Sequence, residues 1–144
     1  PSRGLGDVYK RQAPYHGVGR PMKVGKEEMM GLLAAVELYL NLDHESLLKT
    51  YEKRVQFWIS GLDGKKGIIA QRDYPNEAGQ PVPRTRVELP VEMQKEEVID
   101  ALMNGEPRVA VAPSEHGNAL LLNPMTVMDG ESEIVLERLL QVLG

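Results

Sequence analysis

Met29, Leu32, Leu33, Val36 and Leu40 recur at the i, i+3, i+4, i+7 spacing of one helical face, which predicts a helix from Glu27 to Leu40. Glu27 and Glu28 stand in its first turn, where the helix dipole favours acidic groups. The other face carries Met30, Ala34, Ala35 and Leu38. A helix apolar nearly all round is expected to be buried on more than one side. Gly31 inside it costs about 1 kcal/mol relative to alanine, so it predicts close contact with another element.

A second helix follows, with Asp43 as its N-cap. Leu47, Leu48, Tyr51, Val55, Trp58, Ile59 and Leu62 form its apolar stripe, opposite Lys49, Glu52, Lys53 and Gln56; Gly61 and Gly64 are its stop. From Gly67 the period changes. "GIIAQRD" reads as a short strand and "YPNEAGQPVP" as a loop. "RTRVELPVE" alternates, with Val87, Leu89 and Val91 on one side and Arg86, Glu88 and Glu92 on the other, as a half-buried strand does. Pro90 marks its end or a sheet edge. A helix from Gln94 to Met103 turns Val98, Ile99, Leu102 and Met103 inward and stops at Gly105. "RVAVAP" and "NALLLNP" read as strands joined by the hairpin loop "SEHG", and Asp129 as the cap of a last helix, "ESEIVLERLLQVL". The expected fold is α+β: long N-terminal helices, then a small antiparallel sheet in the order β-β-α-β-β-α with helices on one face.

The chain has 144 residues, a net charge of -4, 42% hydrophobic and 26% charged residues and no cysteine. That fits one soluble globular domain and excludes disulfides, thiolate catalysis and cysteine-based zinc sites. It agrees with a reducing cytoplasm. No apolar run reaches the ~20 residues needed to span a bilayer, and no basic tract dominates, so neither a membrane nor nucleic acid is the expected partner. "PSRGLGDVYKRQ" has no apolar periodicity and does not begin with Met. It resembles the translated remnant of a sequencing adapter, as found at the start of reading frames from environmental DNA. Residues 1–12 are therefore set aside as non-native, against the alternative of a genuine N-terminal arm, and the natural polypeptide is expected to continue upstream of Ala13. The remainder divides into a turn over 13–25, linking helices over 26–64 and an α+β domain over 65–144.

Histidines 16, 44 and 116 are the only ones, none with a second ligand at helical spacing, so no metal site is expected. "GLDGKKG" lacks the phosphate-loop spacing and reads as a helix end and turn. Ser114 and His116 read as solvated loop residues, without an oxyanion hole. Arg84 and Arg86 share one face of a strand, either as an anion clamp or, the reading preferred here, as the solvent side of a half-exposed sheet. The strongest signal is "GRPMKVGKEE", residues 19–28. Arg20, Lys23 and Lys26 crowd a helix start, where they oppose the dipole. Arg20 and Lys23, three apart beside Gly19 and Pro21, form a candidate site for a small anion such as phosphate or carboxylate. The alternative is a basic turn paired with Glu27 or Glu28.

"GVGRPMKVGKEEMMGLLAAVELYL" resembles the segment that opens the C-terminal region of the selenocysteine synthase-like proteins, pyridoxal-phosphate enzymes of the aspartate aminotransferase fold (fold type I). These include L-seryl-tRNA(Sec) selenium transferases and D-glucosaminate-6-phosphate ammonia-lyases. "GEPRVAVAPSEHGNALLLNPMTVMDGESEIVLERLLQVL" resembles the family's closing sheet and helix. The resemblance implies the small C-terminal domain of such an enzyme, with a missing N-terminal large domain and a homo-oligomeric whole. It implies pyridoxal phosphate as cofactor, on a lysine upstream of the basic turn and absent from this chain, which alone is then inactive. Two arginines three apart that hold an anion in the selenium transferases map onto Arg20 and Lys23; His16 and Arg84 are further candidates. Selenium transferases tend to carry an arginine where this chain has Ala112. That departure, the missing tRNA-binding region and the acidic charge favour ammonia-lyase-like β-elimination on an anionic amino acid or amino sugar acid over selenium transfer. A free-standing α+β module that senses a small anion is the alternative, and a dimerisation domain without ligand is a third.

Overall fold

The computed structural model describes residues 24–76 and 78–144, and the chain falls into two units, the first ending at Leu42 and the second running from Asp43 to Gly144. The expected anion site at Arg20 and Lys23, and His16, lie outside the described residues.

In the first unit, α1 (Lys26–Leu40) has Glu27 and Glu28 in its first turn, as expected. Its C-terminus is closed by Asn41, whose backbone and side-chain amides both reach the Glu37 carbonyl. No residue of α1 is buried; Met30 is 65% exposed and Leu38 71%. The neighbour expected at Gly31 is not there among the described residues: a Cβ at that position meets nothing within 4 Å. Apolar side chains are spread around the whole helix instead of gathered in a stripe, so no single face dominates.

The second unit starts with α2 (His44–Leu62). Asp43 caps it, accepting from the Ser46 amide at 3.0 Å. Tyr51, Val55, Trp58 and Leu62, on one stripe, are buried, whereas Leu48, beside that stripe, is exposed. Gly61 does not stop the helix. It lies within it, where an added Cβ would come 2.6 Å from Leu136 of the last helix, so the glycine is a point of close helix approach. The chain turns only at Gly64, whose φ of 74° favours glycine.

Among the described residues four strands form one sheet in the order β1 (Ile69–Asp73), β2 (Arg84–Glu88), β4 (Ala119–Leu122), β3 (Ala112–Pro113), antiparallel throughout. Ala70, Val87 and Leu120 lie in one cross-strand row and face the helices. Gln71, Arg86, Leu121 and Ala112 form the next row and face away. Helices α2, α3 (Lys95–Met103) and α4 (Glu131–Val142) pack on the first face around Trp58, Leu62, Val98, Leu102, Leu139 and Leu143. The α+β layering with helices on one face is thus as the sequence implied.

Several local expectations are overturned. Val91 is 88% exposed, because β2 ends at Glu88 and the Met93 amide bonds back to Pro90 in a turn. Met103 is exposed at the end of α3. "RVAVAP" pairs only at Ala112 and Pro113, because the Val109 amide is drawn to the Leu102 carbonyl at the end of α3. Asp129 does not cap α4. Gly130, with φ 87°, stands at that position, the Glu131 carboxylate accepts from the Met128 amide, and Asp129 pairs with Arg54 at 3.1 Å. Among the described residues no helix is long and apolar enough to cross a membrane.

Candidate functional site

The sheet face that the helices leave open bears a polar concavity of about 410 Å³, lined by Asp73, Arg84, Arg86, Ser114, His116 and Leu121 among others. Strand geometry creates it. Arg84 and Arg86 are two apart on β2 and project to the same side. Asp73 is the β1 partner of Arg84 in the register. Ser114 and His116 come from the loop between β3 and β4.

Arg84 is not the solvent-facing residue that the alternation suggested. Its side chain is only 8% exposed, and its Nη2 and Nε both donate to Asp73 Oδ2, at 2.6 and 3.2 Å. A guanidinium taken out of water needs such a partner. Arg86 stands nearer the rim. Its Nη1 donates to Ser114 Oγ at 2.5 Å, its Nη2 to the His116 carbonyl at 2.6 Å and its Nε to Glu88 at 3.2 Å.

The loop is held from its other side by Lys95, the first residue of α3. Its Nζ donates to the carbonyls of Ser114 and Gly117 at 2.9 and 3.1 Å. Its backbone amide donates to Asn118, which in turn donates to Met93 and Pro90. Gly117 has φ 75°, and an added Cβ there would lie 3.3 Å from Arg86 Nη2, so both backbone conformation and space select glycine.

Ser114 is buried, which corrects its reading as a solvated loop residue; His116 is exposed as expected. The Ser114 hydroxyl donates to the His116 backbone carbonyl at 3.0 Å, so it is engaged with main chain and makes no nucleophile–base pair. "GLDGKKG" forms the turn after α2, where the Asp63 carboxylate accepts from the Ala70 amide. Outside the concavity, Glu52 beside Arg72 holds that guanidinium further into its charged form. Among the described residues no group of three acidic or histidine side chains is placed to hold a metal.

The described residues do not fit the attachment of a pyridoxal phosphate. Such a lysine has to be desolvated to become a nucleophile. Lys26, Lys49, Lys53, Lys65 and Lys66 are exposed, and the Lys95 ammonium is committed to two loop carbonyls. What the concavity holds instead is two guanidiniums and a hydroxyl beside the Asp73 and Glu115 carboxylates. Sequence reading pointed to Arg84 and Arg86 but missed Asp73, Lys95 and Asn118, which act through register and loop closure. The loop that Lys95 and Asn118 hold is the hairpin loop "SEHG" of the sequence, but nothing local to it marks these partners.

No protein-family model matches the chain. It is 27% identical over 135 residues to D-glucosaminate-6-phosphate ammonia lyase from Salmonella typhimurium, and the two are homologous over that stretch, which is 91% of this chain and 35% of that protein. A shorter stretch of 69 residues, 47% of this chain and 17% of the relative, is 38% identical to a 5'-C-glycyluridine monooxygenase-decarboxylase from a Streptomyces species. A solved structure of D-glucosaminate-6-phosphate ammonia-lyase superposes with a TM-score of 0.67 at 27% identity, covering 91% of this chain and 35% of that one. The chain therefore spans about a third of the lyase that it matches.

Proposed function

We propose that this chain is part of a pyridoxal-phosphate-dependent lyase that acts on an anionic, phosphorylated amino sugar acid in the cytoplasm, with ammonia-lyase-like β-elimination in preference to selenium transfer. The observation that carries this reading is the lyase homology along 91% of the chain, with agreement in fold. In this reading the cofactor supplies an electron sink for the substrate carbanion. Its lysine comes from polypeptide other than the described residues, in a large domain, and the whole is a homo-oligomer. This chain's own contribution is anion binding. Arg20 and Lys23 are the proposed substrate-anion residues. Lysine in place of a second arginine keeps the charge but loses the bidentate fork.

The test begins with the source DNA upstream of the codon for Ala13. The extended polypeptide is purified with pyridoxal phosphate, and ammonia release from D-glucosaminate-6-phosphate is measured. Ammonia release that falls at least tenfold in Arg20→Ala supports the reading. A start codon beside Ala13, or an extended polypeptide that releases no ammonia, overturns it in favour of the anion-sensing module.

A further inference from the structure

We propose that the Asp63 carboxylate is a latch, which closes the β1 edge of the sheet against pairing with a second copy of this chain. The inference does not depend on the lyase reading above.

The phase of the ladder decides which groups β1 turns outward. The Leu89 amide donates to the Asn118 carbonyl at 2.9 Å, one step beyond the register that sets Val87 opposite Leu120. Backbone groups alternate sides along an antiparallel strand. Thr85, Val87 and Leu89 therefore bond towards β4, and Arg84, Arg86 and Glu88 towards β1. Their β1 partners Ile69, Gln71 and Asp73 are engaged within the sheet. Ala70 and Arg72 turn their amides and carbonyls to the outer side, where no strand lies among the described residues.

Such an edge is a template for another strand, and this one is self-complementary. A two-fold axis at Gln71 sets Ala70 opposite Arg72 of the second copy, so the outward groups of each strand meet those of the other. Ile69 then lies opposite Asp73 of the second copy. No like charges stand directly opposite, and Glu52 already pairs with Arg72.

Asp63 stands in the way. Its Oδ1 accepts from the outward Ala70 amide at 3.0 Å. The turn after α2 fixes it there: the Asp63 amide bonds to the Ile59 carbonyl, and the Gly64 amide to the Ile68 carbonyl. An incoming strand needs that same Ala70 amide. The opposite edge is closed in another way. The Ser114 amide points to the Ala119 carbonyl of β4, so the nitrogen of Pro113, one residue earlier, faces outward and carries no proton to donate. The β3 edge lacks a donor by covalent structure; the β1 edge lacks one only while Asp63 holds it.

Hydrogen exchange in the full chain is read first at the two outward amides, corrected for their neighbouring side chains. Ala70 is expected to exchange about tenfold or more slowly than Arg72, as a bond to a carboxylate implies; equal rates overturn the latch. Sedimentation velocity over a range of concentrations then compares variants with the parent chain. Asp63→Ala is expected to associate about tenfold or more tightly than the parent. Asp63→Asn keeps an acceptor oxygen and is expected to match the parent. Adding Arg72→Pro to Asp63→Ala removes the other outward amide and is expected to abolish the gain. The proposal is overturned if Asp63→Ala sediments as the parent does, or if Asp63→Asn associates as Asp63→Ala does. It is overturned too if the gain survives Arg72→Pro, because association then runs through another surface. The exchange comparison uses the parent chain and decides the matter even where Asp63→Ala does not fold.

Discussion

Helices α1 and α2 are both rich in apolar side chains, yet one buries nothing and the other anchors the core. In α2, Tyr51, Val55, Trp58 and Leu62 fall on one stripe and Lys49, Lys53 and Gln56 on the other side. In α1, leucines and methionines occur all round the cylinder, and Met29, Leu32, Leu33 and Val36 remain exposed. Apolar content sets how much a helix gains from a partner; its periodicity sets whether one surface can collect that gain.

The largest break in this contrast comes from emptying the better stripe. Trp58 is 1% exposed, and its indole donates to the Ser132 carbonyl at 3.0 Å. Trp58→Ala is expected to cost about 3–5 kcal/mol in urea unfolding, enough to unfold much of a marginally stable unit. Leu33→Ser in α1 is expected to change the same measurement by less than about 0.5 kcal/mol. Equal losses would erase the distinction between the helices.

Next in size is Gly61→Val. The added branches enter the space of Leu136, already 2.6 Å from an ideal Cβ, and overpacking of this kind costs about 1–3 kcal/mol. A stability equal to that of the parent chain would show that α2 and α4 separate freely. Asp43→Ala follows at about 1 kcal/mol, through the lost bond to the Ser46 amide. Asp43→Ser should restore most of it.

Legibility in the sequence followed the same physics. The second helix, both long strands and the α+β layering could be read because each rests on a local period. The Asp43 cap could be read because it spans three residues. The failures were tertiary. Gly61 looks like a stop in isolation and is an interhelical contact. Val109 belongs to a strand by alternation, but its amide is claimed by Leu102. Arg84 looked solvent-facing because alternation cannot say whether a face lies open or is sunk beside Asp73. The partners of the loop, Lys95 and Asn118, stand 19 to 28 residues from the groups they bind, and no motif connects them.

The smallest effect tests α1 with the opposite sign. Gly31 was read as a point of close approach, which a methyl group would damage. The structure gives it open space within 4 Å. Gly31→Ala should therefore strengthen α1 by up to about 1 kcal/mol through backbone entropy and propensity alone. Amide hydrogen exchange within α1 reads this as protection raised by about fivefold, with the core amides of α2 unchanged. A loss of protection would put a neighbour against Gly31 in solution, and the exposed apolar surface of α1 would then be an interface in use.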